Sequence, residues 1–296
     1  MLRNSAAVQA EGRKHKRKSS SPHFSETIYY RRMPSNWQSV LELGSATANA
    51  GDAAALPSSP ARETRVSVLA QHAFSVVLWD WDGVLVDSRR NFYEAYEKVL
   101  REEGIAATSR EIFLREGEPT PVLLRAILDS HSIRVDDNRI HELVTRRREY
   151  DFALGGRQLF PAVPSLLHRL RHAGCRNGLV TGSSRNSLCR QLPPEQQAWF
   201  DTIVTADDVK CGKPDPEPFL CAMRTLQTAP QACLVVENAP FGIASARAAG
   251  CAVVAIATTL ATEDLSHANW IVGNHDELEL LLFGDLRHDA HPGDSQ

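Results

Sequence analysis

Asp80 and Asp82 stand two residues apart in the segment Asp80-Trp81-Asp82-Gly83-Val84-Leu85-Val86-Asp87-Ser88, directly after the uncharged run Phe74-Ser75-Val76-Val77-Leu78-Trp79. Gly83 lets the backbone turn sharply, so both carboxylates can approach one phosphoryl group. Acids that close divide their roles. One stays ionised as a nucleophile, while the other gives a proton to a leaving group and later takes one from water. The tetrapeptide alone also fits a capped turn. The uncharged run before it favours a reactive strand end.

Three further motifs follow in order. Thr181 comes after Asn177-Gly178-Leu179-Val180 and precedes Gly182, Ser183, Ser184 and Arg185, where a hydroxyl and free backbone N–H groups at a helix start suit a phosphate. Lys213 lies in Cys211-Gly212-Lys213-Pro214-Asp215-Pro216, whose prolines stiffen the backbone around an ammonium able to neutralise a phosphoryl group and a carboxylate together. Glu237 and Asn238 end the apolar run Ala232-Cys233-Leu234-Val235-Val236 and offer hard oxygen ligands suited to Mg2+. Each has an ordinary reading when taken singly: an N-cap at Thr181, a solvated Lys213, a turn capped by Asn238.

The elements that must position these residues are short apolar runs alternating with helical stretches, which is how a parallel sheet with crossover helices reads in sequence. A fourth run, Ala252-Val253-Val254-Ala255-Ile256, follows Gly250. Uncharged runs of this kind suit strands covered on both faces, and open sheets hold ligands at the carboxyl ends of their strands. Between Ser88 and Phe160 helical periodicity runs on without a strand, with Phe92, Tyr96 and Val99 opposite Glu94, Glu97 and Lys98. Similar patterns follow at Pro121–Ser130, Asn138–Tyr150 and Pro164–His172. An all-helical insertion ending near Gly155-Gly156 is expected, placed where a lid would exclude water.

The balance of 33 Lys and Arg against 36 Asp and Glu, a formal charge of -3, points to small-molecule partners rather than nucleic acid or an anionic membrane. The 6 cysteines, Cys175, Cys189, Cys211, Cys221, Cys233 and Cys251, contain no Cys-x-x-Cys pair and read as reduced thiols of a cytoplasmic protein. The longest apolar stretch, Leu234 to Leu260, is interrupted by Glu237, Asn238, Pro240 and Arg247, so no membrane span is expected.

Residues 1–71 are rich in Ser, Ala and charge without sustained periodicity, and are expected to be a disordered extension. Its basic run, Arg13-Lys14-His15-Lys16-Arg17-Lys18, reads as a solvated cluster, with a nuclear address or nucleic-acid patch as the other reading. Residues 286–296 are expected to be a second disordered tail, in which His288 and His291 read as part of a frayed polar end.

From about Phe74 to Leu282 the chain resembles the haloacid dehalogenase superfamily, in its helical-cap branch of phosphoglycolate phosphatase-like and β-phosphoglucomutase-like enzymes. The matching motifs are Asp80-Trp81-Asp82-Gly83-Val84, Val180-Thr181-Gly182-Ser183, Gly212-Lys213-Pro214-Asp215-Pro216, and Val236-Glu237-Asn238-Ala239-Pro240-Phe241-Gly242-Ile243 leading to Ala248-Ala249-Gly250. The resemblance implies an α/β fold: a Rossmann-like parallel sheet core (72–87 and 161–285) with an inserted all-helical cap domain (88–160). It also implies that Asp80 attacks phosphorus to form an aspartyl-phosphate, and that Asp82 is general acid and then base. Thr181 and the Gly182 N–H would bind phosphoryl oxygens and Lys213 would hold charge. Mg2+ would take Asp80, the backbone carbonyl of Asp82, Glu237 and Asn238. Asp82 argues against the superfamily's dehalogenases. Many members carry Asp where this chain has Asn238, so one anionic ligand is lost and the amide oxygen would have to serve.

The expected function is Mg2+-dependent hydrolysis of a small-molecule phosphomonoester, a sugar phosphate or phosphoglycolate-like compound. A β-phosphoglucomutase-like mutase is the alternative. In those mutases a cap arginine just after a glycine grips the second phosphate, whereas Arg115-Glu116-Gly117-Glu118-Pro119-Thr120 has none after Gly117. Arg146, Arg147 or Arg148 could still supply a phosphate contact. A non-catalytic binding protein on the same fold is a further alternative, disfavoured by the intact Asp80, Asp82, Thr181 and Lys213.

Overall fold

The computed structural model describes residues 67–284. The expected 286–296 tail and the basic run at 13–18 lie outside these residues. Among the described residues, a helix lies before the expected boundary at 72. Ser67 accepts a hydrogen bond from the Ala70 N–H at 3.0 Å and caps α1 (Val68–His72), whose Val68 is buried in the core.

Six parallel strands form the main sheet: β1 (Val76–Trp79), β4 (Arg176–Val180), β5 (Thr202–Val204), β6 (Cys233–Glu237), β7 (Ala252–Ile256) and β8 (Trp270–Val272). Their order is β5-β4-β1-β6-β7-β8, which puts β1 at the centre. All four β1 residues are fully buried, as a strand covered by helices on both faces must be. The odd-numbered side chains, Val77 and Trp79, pack into one layer with α6 (Val163–His172) and α11 (His275–Phe283). The even-numbered Val76 and Leu78 pack into the other with α9 (Glu217–Leu226) and α10 (Pro240–Ala248). Trp79 spends its indole N–H on Asn177 Oδ1, at 3.1 Å, so a large apolar ring is buried without an orphan donor.

Register sets the site. Trp79 is level with Leu179 of β4 and with Val236 of β6. One residue further on, Asp80, Val180 and Glu237 therefore emerge side by side at the carboxyl edge, with Thr181 just beyond.

After β1 the chain makes a tight loop in which the Leu85 and Val86 N–H groups donate to Trp81 O at 3.0 and 3.1 Å. It leaves the core through β2 (Val86–Asp87) and returns through β3 (Gln158–Leu159), which pair antiparallel. Between them lie α2 (Arg89–Glu102), α3 (Ser109–Phe113), α4 (Thr120–Ser130) and α5 (Asp137–Ala153). They share an apolar cluster of their own, including Tyr96, Val99, Leu100, Leu123, Leu124, Ile127 and Leu143. Helix starts follow their sequence signals: Asp136 accepts from the Arg139 N–H, and Thr108 and Glu111 form a capping box.

The two edge strands β5 and β8, the β2–β3 ribbon and the short helix α8 (Pro194–Gln197) went unread in the sequence, being too short to show a period, whereas α7 (Arg185–Cys189) lies where a helix start was expected.

Candidate active site

Lys213 joins three strand ends. Its Nζ donates to Asp80 Oδ1 at 2.5 Å after β1, to Glu237 Oε1 at 2.6 Å on β6, and to Val180 O at 3.2 Å on β4. All three ammonium protons are used, and the side chain is 3% exposed. Burial disfavours its charge, but the carboxylates of Asp80 and Glu237 outweigh that and hold Lys213 above the ordinary lysine range. Burial pushes the Asp80 carboxyl up to about 7, against the pull of Lys213 and with a further push from Glu237.

Gly83 turns the loop at φ 76, in the left-handed region, and its N–H donates to Val86 O at 2.9 Å. A Cβ there would lie 2.2 Å from Asn238 Nδ2, so only glycine lets the loop close over Asn238. Asp82 lies beside Arg157, whose Nε is 3.4 Å from Asp82 Oδ1, an ion-pair distance without a hydrogen bond. The same guanidinium donates to both Asp151 oxygens, at 3.0 and 3.2 Å, and to Gln191 Oε1 at 3.1 Å.

Thr181 is buried, and its Oγ1 accepts from the Ser183 N–H at 3.0 Å, which leaves the hydroxyl proton for another acceptor. Gly182 is exposed at the same edge, and a Cβ there would approach only Gly117 O, at 4.0 Å. The helix expected to begin over Gly182–Arg185 starts at the end of that stretch. Ser184 caps α7, so Thr181 and Gly182 sit in the loop before it.

The two residues ending β6 differ in freedom. Glu237 gives Oε1 to Lys213 and Oε2 to the Asn238 and Ala239 N–H groups, at 3.0 and 3.4 Å. Gly242 makes room for it, since a Cβ there would meet Glu237 Oε1 at 1.8 Å. Asn238 is fully buried; its Nδ2 donates to Glu116 Oε2 at 2.9 Å and Thr259 Oγ1 at 3.0 Å, and its Oδ1 has no partner. Among the described residues, no three His, Cys, Asp or Glu side chains form a cluster able to hold a metal. Mg2+ does not need one, since it takes one or two carboxylates and fills its octahedron with carbonyls, water and substrate phosphate. A buried amide oxygen without a donor, under the Gly83 turn that follows Asp80 and Asp82, fits that chemistry.

Two site residues escaped the sequence reading. Glu116, 5% exposed, reaches the strand ends from the loop after α3, and burial, Asp82, Asp80 and Glu237 hold its carboxyl well above the usual range. Its signal was an acid beside a glycine after an apolar stretch. Arg157 follows the Gly155-Gly156 pair, which had marked only a boundary. Of the arginines named as possible phosphate contacts, Arg147 stacks on the Tyr96 ring at 4.7 Å, Arg146 pairs with Glu102 at 2.8 Å, and Arg148 is exposed.

The profile of the haloacid dehalogenase-like hydrolases matches residues 77–256, a stretch that begins in β1 and ends with β7. The chain belongs to that family. Hexitol phosphatase A of Escherichia coli is 30% identical to this hydrolase over 210 residues, covering 68% of the chain and 91% of the relative. A phosphorylated carbohydrates phosphatase of Thermotoga maritima is 30% identical over 179 residues, covering 59% of the chain and 81% of the relative. The hydrolase is a phosphatase of the haloacid dehalogenase-like type. Its fold matches the crystal structure of a beta-phosphoglucomutase from Clostridium difficile with TM-score 0.60 and 24% identity, over 69% of this chain and 93% of that one. Among the described residues no helix is long and apolar enough to cross a membrane.

Proposed function

We propose that this phosphatase hydrolyses a small phosphomonoester, a sugar or polyol phosphate or a phosphoglycolate-like acid, in two steps through Asp80. The supporting observation is Lys213 held between Asp80 and Glu237 at the carboxyl edge of the sheet, with Asp82 two residues beyond. In the first step a carboxylate oxygen of Asp80 attacks phosphorus, the ester P–O bond breaks, and Asp82 protonates the departing alkoxide. In the second, Asp82 takes a proton from water, whose oxygen attacks the aspartyl-phosphate and releases inorganic phosphate and free Asp80. Thr181 Oγ and the Gly182 N–H donate to the phosphoryl oxygens. Lys213 offsets the charge that the phosphoryl group brings beside Asp80, so positioning and fixed charge carry most of the catalysis.

Asp80, the Asp82 backbone carbonyl and Asn238 Oδ1 would hold Mg2+, with Glu237 behind them through Lys213; when bound, the ion neutralises phosphoryl oxygens. The relatives named as acting on phosphorylated carbohydrates and hexitols support the substrate class. Hydrolysis is favoured over mutase chemistry because the position after Gly117 holds Glu118, buried and paired with Arg115 at 3.2 Å, rather than a cation for a second phosphate. The six free thiols suit a cytoplasmic site of action. A screen of sugar phosphates, polyol phosphates and phosphoglycolate for phosphate release, with and without Mg2+, tests this. Release that needs Mg2+ and disappears in Asp80→Asn is expected, and Mg2+-independent release would overturn it.

A further inference from the structure

The cap sends one carboxyl group into the strand-end site without an ion-pair partner among the described residues, Arg157 acting on it only through space. Glu116 is 5% exposed, yet among the described residues no Lys or Arg pairs with it. Its Oε2 accepts from Asn238 Nδ2 at 2.9 Å and from Thr259 Oγ1 at 3.4 Å, and its Oε1 is buried without a partner. Asn238 Oδ1 is buried and unpartnered as well. With Glu116 ionised, as a metal ligand would be, it only accepts, and the amide faces it with the NH2 group.

Burying a carboxylate without a cation is costly, and the surroundings make it worse. Asp80, Asp82 and Glu237 bring like charge, while the cations at the edge are Lys213, committed to Asp80 and Glu237, and Arg157, beside Asp82 and Asp151. With all four carboxylates ionised, Asp80, Asp82, Glu116 and Glu237 outnumber Lys213 and Arg157 by two, and the same crowding favours the neutral form of Glu116 until a cation is present. The turn that delivers Glu116 is specialised for the approach. Gly117 has φ 96, and a Cβ there would meet Phe241 at 3.6 Å and Lys213 at 3.8 Å.

We propose that Glu116 is the cap's own ligand to the divalent cation, supplying the negative charge that the neutral Asn238 lacks, so that the cation ties the cap to the core. The proposal rests on the reading of a Mg2+-dependent site given above. Linkage follows: a cation held by groups on both bodies binds the closed cap more tightly than the open one, and favours closure to the same extent.

The test measures binding of Mn2+ and of Mg2+ alone to the full chain, by electron paramagnetic resonance and calorimetry, in the wild type, Glu116→Gln, Asn238→Asp and the double variant. Glu116→Gln should weaken Mn2+ binding by about 10–100-fold, the range typical of losing a group around a metal. The Glu116→Gln/Asn238→Asp pair should recover most of that loss, because the charge is moved rather than removed. Without metal, Glu116→Gln should melt no lower than the wild type, since it keeps the shape and removes a carboxyl whose charge the site disfavours. Unchanged Mn2+ affinity in Glu116→Gln, or a double variant no better than the single, would overturn the proposal while leaving the catalytic reading in place. A wild type that binds neither ion would overturn both.

Discussion

Lys213 Nζ sits 2.5 Å from Asp80 Oδ1 across 133 residues of sequence, and the same atom reaches Glu237 at 2.6 Å. The lysine therefore balances two buried carboxylates and, in the proposed mechanism, the phosphoryl group as well. Lys213→Met keeps most of the side chain's volume but leaves two buried carboxylates facing each other, which should cost about 3–5 kcal/mol of stability. Urea unfolding reads that loss. Adding Glu237→Gln should return part of the stability and none of the activity, because the cation beside the nucleophile is still missing.

Arg157 holds Asp82 from the segment by which the chain returns to the core, with its other nitrogens on Asp151 and Gln191. If that contact places Asp82 for proton transfer, Arg157→Gln should lower kcat/KM by about tenfold or more for alkyl phosphates, whose alkoxide must be protonated as it leaves. Aryl phosphates, with better leaving groups, should lose much less, and Arg157→Lys should recover part of the difference. An equal loss on both substrate types would assign Arg157 to folding alone.

His275, buried at the start of α11, faces the loop after β1 through a 2.8 Å hydrogen bond between Nε2 and Val84 O. Burial lowers its pKa below the usual 6.5, against the pull of Val84 O and Asp276. The neutral ring is therefore the folded form, and the unfolded chain takes up the proton more readily. Stability should be full above about pH 6.5 and should fall as pH drops towards the lower folded-state value. Denaturant midpoints at about pH 7.5 and about pH 5.5 should differ more for the wild type than for His275→Gln, which keeps an N–H donor but cannot titrate.

The strand ends were legible in the sequence because a buried parallel strand must be uncharged, so the first polar residue after each run stands out. That is how Asp80, Thr181 and Glu237 were found, and the register explains why they meet. The limits were equally physical. β5 and β8 have three residues each and lie at sheet edges, and α1 has five, too few to show a period. Glu116 and Arg157 reach the site from the loop after α3 and from the segment leading into β3, so their places depend on how the α2–α5 helices pack beside the sheet rather than on local pattern. The division of labour at β6, with Glu237 bound to Lys213 and Asn238 keeping a free oxygen, likewise needed the contacts themselves.

In the proposed mechanism Asp80 carries the phosphoryl group between the two steps. Acid-quenching the enzyme during turnover of an aryl phosphate and mapping its peptides by mass tests this directly. Slowing the second step with Asp82→Asn should make the intermediate accumulate. The account predicts one added phosphoryl group on the peptide containing Asp80, and none in Asp80→Asn, which should also lose turnover. A phosphoryl group on another residue, or an Asp80→Asn enzyme that still turns over at the wild-type rate, would contradict it.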